Sequence, residues 1–340
     1  MDLARYILRR VVLAVFVLLG VLFFAFILAH SLGGNPVAAW LGRAASIHPE
    51  VAQAIRKEYH LNDPIWVQFW YYVINIAQGN WGYSPSRGFV PVVSVIAETL
   101  PYTLQLAFFA FIISVGLGVI LGVLSARYHD TAVDGSIRTF YLAGVSSPPF
   151  FLALLLLIVF GLVFRLFPTG GAVDLSIASP TSITSIPVLD SLLESNFAYF
   201  ASSLWHLVLP SVTLALITFG FLVRILRTSL LQVMESNFIR TARAKGLNER
   251  TVFFKHGLRN AMIPVVTLSS LIVTWLVTGT IFVEDIFAYP GIGQYVVQAL
   301  LLQDYPGILG TTLVFALIIV TTNLAADLLY VVVDPQIRLG

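Results

Sequence analysis

Six long apolar runs organise this chain: Val11 to Gly42, Leu100 to Ala126, Thr139 to Phe164, Ser195 to Val223, Asn260 to Val283 and Tyr305 to Ala326. A membrane-spanning helix needs about 20 mainly apolar residues. Every run reaches that length. In lipid only helices and closed barrels satisfy their own backbone polar groups. Barrel strands alternate in polarity over roughly 10 residues, and these runs do not alternate. The pattern therefore predicts an all-α integral membrane protein with six transmembrane helices. Arg9 and Arg10 precede the first run in the manner of a signal peptide. The run exceeds the usual apolar core of about 7–15 residues and no clean small-x-small cleavage site follows, so it is expected to be a retained helix.

Basic residues decide orientation. Arg5, Arg9 and Arg10 precede the first run, and Arg127 and Arg138 bracket the loop between the second and third. Arg224, Arg227, Arg240, Arg243, Lys245, Arg250, Lys255 and Arg259 lie between the fourth and fifth, and Arg338 follows the sixth. With both termini cytoplasmic, all of these face the cytoplasm. Arg43, Arg56, Lys57, Arg87 and Arg165 are left outside.

That orientation makes three regions: residues 1–32, the tail and first span; residues 33–98, an extracytoplasmic insert; and residues 99–340, the transmembrane core. Gly33-Gly34-Asn35-Pro36 is a turn signal closing the first span. His48 to His60 reads as a short helix, and Asn62-Asp63-Pro64 as a turn. Ile65 to Ile76 carries Trp66, Phe69, Trp70, Tyr71 and Tyr72, which suits an interfacial anchor or a surface for an external partner. Pro168 to about Asn196 is Ser/Thr/Pro-rich and is expected to have little regular structure. Pro148-Pro149 and Pro210 remove helix hydrogen bonds and mark kinks or ends. Gly118 and Gly122 have the spacing that lets membrane helices approach closely.

Composition sharpens the class. Of 340 residues, 58% are hydrophobic and 11% charged, against about 25% charged in a soluble domain. The net charge of +2 is too small to suggest nucleic acid. There is no cysteine, which excludes disulfides, thiolate metal sites and a catalytic thiol. The histidines at 30, 48, 60, 129, 206 and 256 lack ligand spacing, so neither a metal site nor an intramembrane enzyme is expected.

The most informative segment is the loop at about 228–259 and its continuation to Pro264. It is expected to form two short helices. Asn237 would cap the first, from about Phe238 to Lys245. Gly246 would stop it, because a positive φ is cheap there. Asn248 would cap the second, with Glu249 in its first turn. Ala242, Ala244 and Gly246 are small enough for close approach of another protein. Arg240 and Arg243 share a face and are suited to a partner's carboxylates or carbonyls. This is the form of a helix that sits in a groove of a neighbouring domain. A basic segment held by anionic lipid is the competing reading.

This stretch resembles the EAA loop of ABC importer membrane subunits. Thr241-Ala242 precede Gly246, and Met262-Ile263-Pro264 follow downstream. Arg240 replaces the leading Glu, and the Gly246–Pro264 distance is longer than in the general pattern. Both departures are features of the dipeptide/oligopeptide/nickel permease branch, whose RTARAKGL…LRNA…P run is similar to residues 240–264. Further resemblances are LPYTLQLAFFAF from Leu100, SSPPFFLALLLL from Ser146, HLVLPSVTLAL from His206, VEDIFAYPGIGQ from Val283 and DLLYVVVDPQIR from Asp327. RYILRR and GGNPVAAWLG resemble the first, B-type, of the two paired permeases.

The resemblance implies the type I importer permease fold with the insert after the first helix. It implies pairing with a homologous permease, two ATPase subunits below, and an extracytoplasmic binding protein that delivers di- or oligopeptides, nickel chelates or oligosaccharides. It places the contact with an ATPase at Asn237, Phe238, Arg240, Thr241, Ala242, Arg243, Ala244, Lys245, Gly246 and Leu247. Glu284, Asp285, Pro290, Gly291 and Gly293 are candidates for meeting the binding protein. The chain has no GxxxxGK[ST] loop. Gly291-Ile292-Gly293, the nearest glycine cluster, reads as a turn before a short helix. ATP and Mg are therefore expected on the partner subunits, and no catalytic residue or cofactor on this one. The rival reading is an ion-gradient-driven secondary transporter, which calls for inverted repeats and ionisable residues near the midplane. Neither is visible, and Asp327 falls just past the sixth run.

Overall fold

The computed structural model describes residues 3–31, 50, 53, 56–57, 60 and 62–333. The expected turn at Gly33–Pro36, most of the expected helix from His48 to His60, and Arg338 lie outside the described residues. Helices are numbered in chain order: α1 Leu3–Ser31, α2 Ile65–Ala77, α3 Val92–Arg127, α4 Ala132–Ser146, α5 Pro149–Leu156, α6 Pro187–Leu193, α7 Phe197–Met234, α8 Asn237–Ala244, α9 Ile263–Ile286, α10 Ile292–Leu301 and α11 Tyr305–Val333.

Among the described residues five helices are long and apolar enough to cross a membrane: Leu8–His30, Val92–Arg127, Phe197–Met234, Ile263–Ile286 and Tyr305–Asp327. A bent pair of helices makes a sixth span when the two are counted as one. The run from Thr139 to Phe164 is expected as a single helix, but α4 and the helix from Pro149 to Val163 meet at 109°. A residue before proline is pushed to extended backbone. Ser147 (ψ 133°) precedes Pro148, and Pro148 (ψ 138°) precedes Pro149. Beyond α5 the helix widens into a π-helix over Leu157–Val163. Pro101 and Pro210, by contrast, lie inside α3 and α7 without ending them.

Packing divides the chain into two compact units. Among the described residues, one comprises Thr103–Tyr289 and those from Thr321; the other comprises those up to Tyr102 and Pro290–Val320.

In the first unit α7 is the central helix. Leu207, Leu214, Phe219, Leu222, Leu226 and Leu230 are all buried along it. Glycines set its closest neighbours. A Cβ on Gly118 would stand 2.5 Å from Leu222 Cβ, and one on Gly122 would stand 3.0 Å from Leu226 Cβ. On α4, a Cβ at Gly144 would collide with the Leu216 carbonyl oxygen. On α7 itself, one at Gly220 would stand 2.6 Å from Val145 Cγ2. The expected close approach at Gly118 and Gly122 is thus α3 against α7.

The segment from Pro168 to Asn196 is more ordered than its composition suggests. It contains α6, whose Val188 amide donates to Gln105 Oε1 at 3.1 Å. Gln105 Nε2 in turn donates to the Tyr289 hydroxyl at 2.9 Å. The buried Asp190 carboxylate accepts from the Thr184 amide at 2.7 Å and hydroxyl at 2.6 Å. These side-chain bonds replace the hydrophobic periodicity that would have advertised the helix.

In the second unit Phe26 of α1, Phe69 of α2 and Leu309 of α11 share one buried cluster. Phe69 faces inward, while Trp66, Trp70 and Tyr71 on the same helix are exposed. A two-residue antiparallel hairpin pairs Tyr83 with Pro91 and Ser84 with Val90. This is a small departure from the all-α expectation. Asp304, buried just before α11, ties that hairpin down. Its carboxylate accepts from the Ser84 hydroxyl, the Ser86 hydroxyl at 2.7 Å and the Gly307 amide at 2.8 Å.

Candidate coupling site

The loop between α7 and α9 is shorter than the expected 228–259, because α7 continues helically to Met234. α8 begins at Asn237, with Glu235 and Ser236 between the two helices. Its cap is Ser236, in extended backbone (φ −67°, ψ 155°), and Asn237 is its first helical residue, not its cap. Ser236 does not cap through its side chain either. Its hydroxyl donates back to the Val233 carbonyl at 2.6 Å, satisfying the end of α7.

α8 has two unlike faces. Ile239 and Ala242, three apart, are buried and pack with Val233, Met234 and Val252. Asn237, Phe238, Arg240, Thr241, Arg243, Ala244, Lys245, Gly246 and Leu247 are all exposed. Every residue of the expected contact set is therefore on the surface except Ala242. Its small side chain serves this chain's own packing rather than a partner's approach. Phe238 and Leu247 are 46% and 40% exposed.

The end of α8 has the geometry of a Schellman turn. The Gly246 amide donates to the Arg243 carbonyl at 2.9 Å and the Leu247 amide to the Ala242 carbonyl at 3.4 Å. Closing those two bonds requires left-handed backbone at residue 246, and Gly246 has φ +76°. A Cβ there would meet nothing within 4 Å, so the need for glycine is conformational and not steric. Asn248 then caps the next helical turn, its Oδ1 accepting from the Thr251 amide at 2.9 Å. Arg243 is already paired within this chain. It donates to Glu249 Oε1 at 2.8 Å and Oε2 at 3.2 Å, bracing α8 against the following turn.

A π-helix over Val252–Leu258 carries the chain on toward α9. Such widened turns concentrate at functional sites. Its Gly257 lies tight against α7, since a Cβ there would stand 2.7 Å from Met234 Sδ.

α7 is itself latched. Arg227 pairs with Asp134 in the first turn of α4, and Asp134 also accepts from the Ser125 hydroxyl of α3 and the Asp130 amide at 3.2 Å. The sequence marks Arg227 only as one of many basic residues, and Asp134 not at all. The one available signal is an acid three residues after Thr131, a helix-start pattern. The structure spends that acid on Arg227 instead.

The second candidate set is not presented as a surface. Glu284, Gly291 and Gly293 are buried and Pro290 is half-buried; only Asp285 is exposed. The reason is that α9 runs on to Ile286, past the expected end at Val283, which turns Glu284 into the packed face.

Comparison with known proteins fits this architecture. Residues 118–339 match the family described as binding-protein-dependent transport system inner membrane component. Residues 3–107 match the N-terminal region described for the same class of membrane component. The probable D,D-dipeptide transport system permease protein DdpB of Escherichia coli is 35% identical over 326 residues, covering 96% of this chain and 95% of that protein. The oligopeptide transport system permease protein AppB of Bacillus subtilis is 34% identical over 339 residues, covering 98% and 99%. A solved amino acid ABC transporter chain superposes with a TM-score of 0.49 at 12% identity, covering 70% of this chain and 94% of that one.

The helices and the family matches define a multi-pass inner-membrane permease subunit of an ABC importer. The chain belongs to the binding-protein-dependent transport system inner membrane component family, with the type I permease fold.

Proposed function

We propose that this permease forms half of a path for di- or oligopeptides and that α8 is where ATP-driven motion enters it. The substrate class rests on relatives at 34–35% identity whose names specify D,D-dipeptides and oligopeptides. The other half of the path is a homologous permease. Two ATPase subunits bind ATP and Mg beneath, and an extracytoplasmic binding protein hands over the solute. Of the set from Glu284 to Gly293, the exposed Asp285 is the residue proposed to meet that protein. Both termini and α8 face the cytoplasm in this reading, which the concentration of Arg and Lys around the loop supports.

The observation that carries the coupling role is the division of α8. Ile239 and Ala242 fasten it to α7 and Val252, while the rest of its surface, including Phe238, and Leu247 just past its end are open. A helix anchored on one face and offering apolar and cationic groups on the other fits a groove in a neighbouring domain. Closure of the ATPases displaces α8, and α7 and α9 receive that displacement at Met234 and through the π-helix. The ATP chemistry itself belongs to the partners.

The absence of cysteine permits a direct test. Thr241→Cys, on the exposed face, is expected to form a disulfide with a single cysteine placed in the ATPase cleft. Val266→Cys, on the exposed side of α9, is expected not to. Equal cross-linking by both, or none by Thr241→Cys in a complex that purifies intact, contradicts the assignment.

A further inference from the structure

The aromatic helix α2 has no part in the function proposed so far. Its exposed residues are Ile65, Trp66, Trp70, Tyr71, Ile74 and Ala77, with Trp66 63% and Trp70 55% exposed. None of these carries a charge or an amide. The two amide side chains of the helix, Gln68 and Asn75, are half-buried instead. Gln68 Nε2 donates to the Asp63 carbonyl at 2.8 Å, and its Oε1 lies 3.2 Å from His30 Nε2. Polar groups collect at the two ends, with Asn62 and Asp63 before the helix and Gln78 and Asn80 after it. The opposite face, through Phe69, is packed on α1 and α11. A helix apolar all round belongs in a protein core or a membrane, yet one face of this one is open among the described residues.

Its depth is set by what it packs on. Phe69 meets Phe23 and Phe26 edge-on, with ring centroids 5.1 and 5.7 Å away. Those residues precede His30, the end of the candidate span in α1. At 1.5 Å per residue they lie about 10 and 6 Å inside that end. Interfacial helices bury an apolar face about 5–10 Å into the boundary between headgroups and acyl chains, so the two depths agree. The 13 residues of α2 reach about 20 Å, too short to cross a hydrocarbon core of about 30 Å. The open face also continues onto α1, where Phe23 and Phe24 are exposed within the span.

The residue types favour one occupant. Tryptophan and tyrosine suit the membrane–water boundary, where the ring lies in the apolar layer and its polar edge stays wet. A soluble partner that comes and goes would return Trp66 and Trp70 to water at each departure, whereas a bilayer does not leave.

We infer that α2 is an interfacial anchor: it seats Trp66, Trp70 and Ile74 among the lipids of the outer leaflet, at the boundary of headgroups and acyl chains, and through Phe69 it holds α1 and α11 at that height. The choice of leaflet rests on the orientation proposed above; the burial in lipid does not.

The chain has no cysteine, so a spin label reports only from the position given it. The test uses the complete transporter, permeases with cysteine-free ATPases, in liposomes of phosphatidylcholine and phosphatidylglycerol. Trp66→Cys, Ile74→Cys and Asn80→Cys are each labelled with a nitroxide. Collisions with oxygen, which concentrates in lipid, are compared with collisions with a nickel chelate, which stays in water. Trp66→Cys and Ile74→Cys are expected to favour oxygen, at about 5–10 Å below the phosphates, and to be unchanged when the binding protein is added. Asn80→Cys is expected to favour the nickel chelate. Nickel access at the first two positions equal to that at Asn80 overturns the proposal. So does protection of both from both reagents, which marks a protein occupant. A membrane-impermeant maleimide is expected to label Asn80→Cys from outside the cell. Labelling from the cytoplasmic side alone refutes the orientation and the leaflet, while the collision data still decide the burial in lipid.

Discussion

Arg227 donates from Nε to Asp134 Oδ1 at 2.9 Å and from Nη2 to Asp134 Oδ2 at 2.7 Å, across 93 positions of sequence. Asp134 is 1% exposed and Arg227 19%. Ser125 adds a hydroxyl donor to the same carboxylate, so one buried acid fastens α3, α4 and α7 together. α7 is the helix from whose end α8 hangs. A coupling helix transmits displacement only if its mounting does not yield, and this pair is part of that mounting.

Removing one partner of a buried pair leaves an uncompensated charge, which costs about 3–5 kcal/mol, whereas replacing both with apolar residues is often neutral. Arg227→Met is therefore expected to lower the thermal aggregation temperature of the purified subunit sharply. Asp134→Leu added to it is expected to recover most of the loss. A single variant as stable as wild type contradicts the clasp.

Glycine contacts on α4 and α3 make a matched comparison. At Gly144 an added methyl meets the Leu216 backbone carbonyl, whereas at Gly116 it meets nothing within 4 Å. Overpacking typically costs about 1–3 kcal/mol, and glycine to alanine in an open helix position gains up to about 1 kcal/mol. Gly144→Ala is expected to destabilise and Gly116→Ala to be neutral or stabilising in the same thermal assay. The reverse order contradicts the α4–α7 packing.

These contacts also show where the sequence is legible. Long apolar runs report spans because lipid demands about 20 apolar residues in a row. Pro148-Pro149 mark a kink or end for the same local reason, since proline acts on its own neighbours, but the 109° bend they make is not legible. Nor is the latch, because pairing between residues 134 and 227 is set by tertiary packing. The start of α8 is missed by one residue because Ser236 and Asn237 are both capable caps. The extended backbone falls at Ser236, whose hydroxyl turns back to Val233 rather than capping α8. Burial of Glu284 is hidden for a similar reason, since three more helical residues after Val283 change which way it faces. The exposed face of α8 is readable because capping, glycine placement and charge all act locally.

In the second unit, Asp304 is the acceptor for Ser84, Ser86 and the Gly307 amide. Each buried donor left without a partner costs about 1–3 kcal/mol. Asp304→Ala is expected to loosen the turn that carries Arg87, so that trypsin cuts after Arg87 much faster than in wild type. Asp304→Asn, which keeps an acceptor oxygen, is expected to fall between them. Unchanged cleavage in Asp304→Ala contradicts the tether.

The coupling role of α8 is tested most directly at Gly246, where the backbone is left-handed and the surroundings are empty. A β-branched residue there costs on the order of 1–2 kcal/mol of backbone strain, and asparagine costs less. The Schellman end of α8 should yield in Gly246→Val while the spans stay intact. The measurement is ATP hydrolysis and peptide uptake by the same reconstituted transporter. Gly246→Val is expected to give normal membrane insertion, continued hydrolysis and loss of most uptake, with Gly246→Asn intermediate. Normal uptake at an unchanged ratio to hydrolysis in Gly246→Val would contradict the coupling role.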